Sequence, residues 1–325
     1  MRAIVFEKYG PPEVLQLTEV NKPAPKDHEV LVEVHAASVN PYDYHLMRAS
    51  PFLVRLGRGF LKPKDSRFGA DVSGRVEAIG RNVTLFKPGA EVFGFADGSF
   101  AEYATAAESD LASKPANLSF EAAAAAPMAG LTALKGLRDQ GHIQPGQKVL
   151  VNGASGGVGT FAVQIAKSYG AEVAGVCSSQ NMDLVRSIGA DHVIDYARED
   201  FTKSGESYDL ILDAVGNHST SDYKRALTPR GICSVVGFTS MFRMIRVVLR
   251  GRLTSKTDGK KVGLMSLRPN KEDRAFLAEL LASGKISPVI DRRYSLAEVP
   301  DAIRYLERGH VRGKVVITVA HDGRA

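Results

Sequence analysis

Only two cysteines occur in 325 residues, Cys177 and Cys233, and they stand too far apart for a CxxC pair. A disulfide framework and a four-thiolate zinc site are therefore excluded, and both thiols read as core residues. No uninterrupted apolar run approaches membrane-spanning length. The N-terminal MRAIVFEKYG enters a strand-like run without the apolar core and small-residue cleavage site of a signal peptide, so the expected location is cytoplasmic. A strong excess of one charge is missing too: a formal net +6 over this length selects neither nucleic acid nor membrane by itself. Neither a Ser-His-Asp arrangement nor a paired-carboxylate signature is evident. What remains, 44% hydrophobic and 24% charged, is the composition of a folded globular chain long enough for two domains.

From about Lys148 the sequence alternates short apolar, β-branched runs with helical patterns: KVLVNGA, FAVQIAKSYG, EVAGVCS, MDLVRSIGA, HVIDY, YDLILDAVG, RGICSVVGF. That alternation predicts βαβ units on a parallel sheet. Residues 1 to about 122 look mostly β, with EVLVEVHAAS and DVSGRVEAIG as strands between PG, GP and DG turns. Near the end, DRAFLAELLASGKI and AEVPDAIRYLERG read as amphipathic helices and GKVVITVA as a last strand.

Within NGASGGVGT, Gly153, Gly156 and Gly159 recur at intervals of three, with Ser155, Gly157 and Val158 between them. The spacing falls between a strand and a helix of the βαβ series, where glycines permit a sharp turn and let backbone N–H groups approach a pyrophosphate. A dinucleotide site is predicted here. NAD-specific sites place an acid after the next strand, but VAGVCSSQN has none. Ser178 and Ser179 offer hydroxyls without a charge that would repel a 2′-phosphate, so NADPH is the expected cofactor. Ser179 reads equally well as a helix cap.

The stretches VNPYDYHLM, FGADVSGRVEAIG, FKPGAEVFGF, GSFAEYATA, MAGLTALKGL, GQKVLVNGASGGVGTFAVQIAK, GADHVIDY, DAVG and RGKVVITV together resemble the zinc-lacking quinone oxidoreductase branch of the medium-chain dehydrogenase/reductase superfamily. The resemblance implies an α/β protein: a GroES-like, mostly-β catalytic domain from residues 1–122 and 265–325, with a Rossmann doubly wound parallel-sheet domain, 123–264, inserted. It also implies a homodimer paired through the Rossmann sheet. Zinc-dependent members use a Cys and a Gly-His-Glu segment where this chain has Asn40 and Gly69-Ala70-Asp71, and the cysteine-rich lobe for structural zinc is missing. No metal is expected. Without a Lewis acid, the implied chemistry is hydride transfer from NADPH to an acceptor already electrophilic, a quinone or an α,β-unsaturated carbonyl.

By the same resemblance Tyr196 and a basic residue near the second Rossmann strand hold the 2′-phosphate, but Asn181 stands in the basic position. Thr132, Val215, Gly216, Gly237, Phe238 and Lys314 match positions lining the cofactor cleft. A lysine opening a terminal strand, as Lys314 does, also reads as merely solvated. Among catalytic candidates the resemblance places Asn40 and Asp43 at the cleft. Tyr42 and His45 read either as proton donors or as packing and loop residues. Short-chain dehydrogenases are set aside, since none of the ten tyrosines has a lysine four residues on.

Two segments bear on the acceptor. RASPFLVRLGRGFLKPKDSRFG, residues 48–69, reads either as a selector of bulky or anionic acceptors or as a solvated loop with Phe52, Leu53 and Leu56 packed beneath it. Residues 241–262 hold Arg243, Arg246, Arg250, Arg252, Lys256, Lys260 and Lys261 against Asp258 alone. Their first part, 241–253, forms an amphipathic basic pattern that suits either an anionic membrane surface or a cover over the protein's own cleft or dimer contact. Nucleic-acid binding is not expected, because that cluster has no interleaved aromatics beyond Phe242. A non-catalytic NADPH-binding protein, redox-sensing or membrane-associated, is the alternative to a reductase.

Overall fold

The computed structural model describes residues 1–50, 52, 54–237 and 259–321. The chain divides into two compact units. One comprises Met1–Met128, Asn270–Ser283 and Pro288–Ala325; the other comprises Ala129–Pro269 and Gly284–Ser287. Phe238 and the basic stretch 241–253 lie outside the described residues, as does Leu53.

The first unit is built on a seven-stranded sheet. Its order runs Ile290–Ser295, Lys314–Thr318, Glu29–Val39, Asp71–Ile79, Glu91–Phe95 and Leu111–Ser113, with Tyr103–Ala107 also paired to Glu29–Val39. The sequence EVLVEVHAASV makes the central strand: β-branched residues suit the pleat, and Val30, Val32, Val34 and Ala37 enter the core with Phe6, Phe68 and Phe100. The register of this strand matters most for function. Ser38 pairs with Asp71 on one side, and Val39 pairs with Val315 on the other. The last residues of one strand thus meet the first residues of both its neighbours.

The second unit holds a six-stranded, wholly parallel sheet in the order His192–Asp195, Glu172–Cys177, Lys148–Asn152, Tyr208–Asp213, Leu227–Val235, Lys261–Leu264. Counted within the unit this is 3-2-1-4-5-6, the doubly wound order. Such strands are buried on both faces, which explains the continuous apolar runs VLV and LIL. The order reverses between Lys148–Asn152 and Tyr208–Asp213, so loops leaving those two strands diverge and open a crevice.

Helix Gly157–Ser168 follows the first of these strands and buries Phe161, Ala162, Val163, Ile165 and Ala166. Its close seating depends on Gly159, where an added Cβ would stand 2.0 Å from the Gly153 carbonyl oxygen and 2.7 Å from Ala154 Cα. Backbone, not a movable side chain, blocks that space. Gly159→Ala is expected to lower stability by about 1–3 kcal/mol and to weaken binding of a nicotinamide dinucleotide, since the turn must open. Thermal denaturation and cofactor titration of the variant check this; an unchanged pair of values would mean that the turn yields freely.

Candidate functional site

The glycine turn of the parallel-sheet unit leaves strand Lys148–Asn152 with Gly153 at φ +83°, a conformation that disfavours side chains. Gly153 and Ala154 N–H groups donate to Val176 O at 3.1 and 2.9 Å, which fixes the turn against the neighbouring strand. Helix Gly157–Ser168 begins after Gly156, which has no side chain to cap it. Where a Gly156 side chain would stand, the nearest atom is Gly153 O at 3.4 Å. Gly157, Val158 and Gly159 therefore form an uncapped first turn, whose N–H groups and positive dipole end suit a phosphate.

The strand Glu172–Cys177 ends beside this turn. Asn181, standing in the expected basic position, donates from Nδ2 to Ser155 Oγ at 3.1 Å and so ties its loop to the glycine turn. Asp195 pairs in register with Cys177, and Tyr196 N–H donates to Cys177 O at 3.1 Å. Tyr196 thus follows the strand end that pairs with Cys177, and the residue is 61% exposed. Ser178 is half-buried and Ser179 exposed. Burial pushes the Cys177 thiol up to about 11, so it stays protonated and inert.

Sequence reasoning missed Arg198, which lies two residues past Tyr196 with Nε 3.6 Å from Asp195 Oδ2. The Arg198 side chain is 86% exposed, so its guanidinium stands in solvent near the same strand end. It also missed the organiser of the second strand end, Asp213. Asp213 Oδ1 accepts from the N–H groups of Val215 and Gly216, both at 2.7 Å, and Oδ2 accepts from Asn152 Nδ2 at 3.1 Å. Val236 and Gly237 N–H groups donate to Asp213 O at 2.7 and 3.4 Å. Gly153, Val215, Gly216 and Gly237 are therefore gathered at the strand ends where the sheet order reverses. Thr132 is buried on helix Pro127–Leu134.

In the first unit the strand register delivers a polar cluster into the interior: Ser38, Asn40, Asp43, Asp71 and Lys314, all buried. Asp71 Oδ2 accepts from Ser38 Oγ at 2.7 Å and Asn40 Nδ2 at 2.9 Å, and Oδ1 accepts from Met128 N–H at 3.0 Å. Lys314 Nζ donates to Asn40 Oδ1 and to Val39 O at 3.3 Å, and lies 3.5 Å from Asp71 Oδ2. Only 3% of Lys314 is exposed, so it is not a solvated strand opener. Burial pushes Asp71 up and Lys314 down, while each partner's charge opposes the shift of the other. The surrounding donors and acceptors match the charged forms of both.

Asp43 belongs to the same cluster through helix Pro41–Arg48, where its Oδ2 accepts the Asn40 N–H at 2.7 Å. Its Oδ1 meets no donor, and burial, reinforced by the Asp71 charge, pushes the carboxyl up to about 8. Asn40 and Asp43 are thus interior residues that fix the start of this helix. Tyr42 points elsewhere: it is exposed, and its hydroxyl accepts from Arg58 Nη2 at 2.6 Å. Burial lowers His45, leaving a neutral imidazole.

A divalent cation does not fit between Asn40 and Asp71. An ammonium already bridges the amide and the carboxylate, and Ala70 offers no donor atom. Among the described residues no group of three or more His, Cys, Asp or Glu could hold a metal ion.

Comparison with known proteins agrees with this arrangement in its outline. The alcohol dehydrogenase GroES-like domain family matches residues 26–116, and the zinc-binding dehydrogenase family matches residues 188–317. The mitochondrial NAD(P)H oxidoreductase RTN4IP1 of Bos taurus is 36% identical over 98% of this chain and 89% of its own length. The 2-methylene-furan-3-one reductase of Solanum lycopersicum is 37% identical over 98% of this chain and 79% of its own. The crystal structure of Escherichia coli quinone oxidoreductase complexed with NADPH superposes with a TM-score of 0.83 at 27% identity, covering 98% of this chain and 100% of that one.

Two outcomes follow for the buried cluster. Lys314→Met leaves the Asp71 carboxylate uncompensated and is expected to lower stability by about 3–5 kcal/mol. Adding Asp71→Asn should recover most of that loss in urea denaturation; no recovery would mean that Lys314 acts through packing alone. Asp43 takes up its proton more readily in the folded chain than in the unfolded one. Its contribution to stability is therefore complete below the ordinary aspartate range and lost as pH rises through about 8. The stability of the wild type relative to Asp43→Asn should fall by roughly 1.4 kcal/mol per pH unit between about pH 5 and 8 and level off above. A gap independent of pH would mean that Asp43 is ionised throughout.

Proposed function

This chain belongs to the quinone oxidoreductase branch of the medium-chain dehydrogenase/reductase superfamily, and from that premise we propose that it is a zinc-independent, NADPH-dependent reductase of quinones or α,β-unsaturated carbonyls. The observation that carries the reading is the burial of Lys314 between Asn40 and Asp71. A metal centre that polarises an alcohol needs open coordination positions, and an ammonium with its hydrogens committed to Asn40, Val39 and Asp71 has none to give. The acceptor must then bring its own electrophilicity. Quinones and enones do so, and the names of the Escherichia coli and tomato proteins speak of one such class each.

When bound, the nicotinamide supplies the hydride. The residues that would hold the cofactor are those of the parallel-sheet unit. The first turn of helix Gly157–Ser168 would take the pyrophosphate, and the turn that Asp213 holds at Val215 and Gly216 would border the crevice. Ser178, Ser179, Tyr196 and Arg198 supply hydroxyls and a positive charge where an NAD-specific site would present an acid, which supports NADPH. The proton comes from solvent, to the oxygen of a reduced quinone or to the α-carbon of the enolate left by an enone, and neither needs a dedicated acid. Asp43, wholly buried, keeps its proton in the interior.

The test is loss of NADPH absorbance by the purified full chain against a panel of quinones and enones, with NADH in parallel and with a zinc chelator. Turnover that favours NADPH and ignores the chelator is expected. Arg198→Ala should raise the KM for NADPH by about tenfold, in line with the loss of one hydrogen bond to a charged group, and leave that for NADH unchanged. Chelator-sensitive oxidation of alcohols would overturn the reading. Cofactor binding with no turnover across the panel would replace it with a non-catalytic NADPH-binding protein.

A further inference from the structure

The segment that follows helix Pro41–Arg48, in the first unit, carries an exposed apolar surface. Phe52, Leu56, Phe60 and Leu61 are 53%, 69%, 58% and 85% exposed. Large apolar residues on a soluble surface usually stand singly, and a contiguous group marks an interaction site. Positive charge is interleaved with them: Arg55, Arg58, Lys62 and Lys64 fall in the same stretch, with no Asp or Glu between Asp43 and Asp65.

The surface is built rather than loose. Arg55 N–H donates to Phe52 O at 3.0 Å, Gly59 N–H to Arg55 O at 2.9 Å and Lys64 N–H to Arg58 O at 2.8 Å, so the backbone closes on itself. Tyr9 pins it from the core side, its hydroxyl donating to Gly59 O at 2.9 Å. The Arg55 guanidinium lies over the rings of Tyr9 and Phe52, at 5.0 and 5.1 Å, and Phe60 stacks edge-on against Phe52 at 5.6 Å. With those groups pinned, Leu56 and Leu61 remain the most exposed of the four, flanked by Arg58, Lys62 and Lys64.

We propose that residues 52–64 dock this protein on an anionic lipid surface, the four apolar side chains entering the boundary between headgroups and acyl chains while the lysines and arginines meet lipid phosphates. Interleaved cations and apolar tips are the two components of interfacial binding. A second copy of the chain fits the patch poorly, because a self-complementary contact would bring two sets of like charges together, and the nearest acid, Asp65, is already paired with Arg67. A nucleic acid would engage the cations and leave Leu56 and Leu61 unpartnered. Docking here would also bring Tyr42, which Arg58 hydrogen-bonds, close to the lipid. The inference stands whether or not the acceptor is a quinone.

The experiment is co-sedimentation of the full chain with phosphatidylcholine vesicles, with and without phosphatidylserine. Binding that requires phosphatidylserine and weakens with salt is expected. The Leu56→Asp/Leu61→Asp and Lys62→Glu/Lys64→Glu variants should each lower the bound fraction by about tenfold. Both should keep the wild-type melting temperature and NADPH affinity, so that a folding defect is not mistaken for lost docking. Failure to bind phosphatidylserine vesicles would overturn the proposal, as would undiminished binding by the variants, which would move the contact elsewhere in the chain. Self-association abolished by Leu56→Asp/Leu61→Asp, without vesicle binding, would assign the patch to a second copy.

Discussion

A lysine ammonium held in the protein interior constrains everything around it. Lys314 carries its charge in the interior, so each of its hydrogens needs an acceptor and its charge a counterion. Val39 O, Asn40 Oδ1 and Asp71 Oδ2 meet that need, and they come from the end of one strand, the residue after it and the start of another. Strand register is thereby specified by polar chemistry as well as by the apolar pattern. A slip of one residue between Glu29–Val39 and Asp71–Ile79 would turn Asp71 to the opposite face and strand the ammonium. The same carboxylate accepts Met128 N–H and so fixes the point at which the chain leaves this unit. Asp43 completes the balance by staying neutral near pH 7, which leaves one positive and one negative charge in the cluster.

The parallel-sheet unit solves a related problem with a lone carboxylate. Asp213 ends its strand at the reversal point and collects the N–H groups of Val215 and Gly216 on one oxygen. Its other oxygen takes Asn152 Nδ2 from the neighbouring strand. Buried backbone donors in a tight turn need partners, and this aspartate supplies them directly. The glycine turn beside it is left uncapped at its helix end. Within one unit, then, the backbone groups that shape the crevice are satisfied internally, while those at the start of helix Gly157–Ser168 remain available to a phosphate.

Local chemistry was legible in the sequence, and chemistry assembled across strands was not. Gly153, Gly156 and Gly159 lie within seven residues, and their spacing between a strand and a helix was sufficient to predict the turn. The absence of an acid at Ser178–Asn181 and the presence of Tyr196 could likewise be read directly. The resemblance points to Asn40, Asp43 and Lys314 by position, but it carries neither their burial nor their partners. Their partnership depends on the register of three strands, with Lys314 274 residues from Asn40. No periodicity encodes that distance. Asp213 escaped notice for the same reason, since DAVG alone does not reveal which N–H groups its carboxylate will face. One of two readings of that insertion packs Phe52 and Leu56 beneath the loop; both are exposed, on and beside the five-residue helix Val54–Arg58.

The ion pair also limits what an enzyme built on this frame can do. A divalent metal acts on a carbonyl or alcohol by exchanging a ligand for substrate, so its charge is mobile in effect even when its position is fixed. The Lys314 charge is committed internally: Asp71 neutralises it, and Asn40 Oδ1 and Val39 O accept its hydrogen bonds. On the proposed reading the protein therefore contributes orientation and exclusion of water, and the driving force resides in the acceptor. Such an arrangement favours acceptors that differ in size and solubility over those that differ in acidity, because nothing in the buried cluster tunes a substrate proton. Selectivity then falls to the surfaces a substrate meets on the way in.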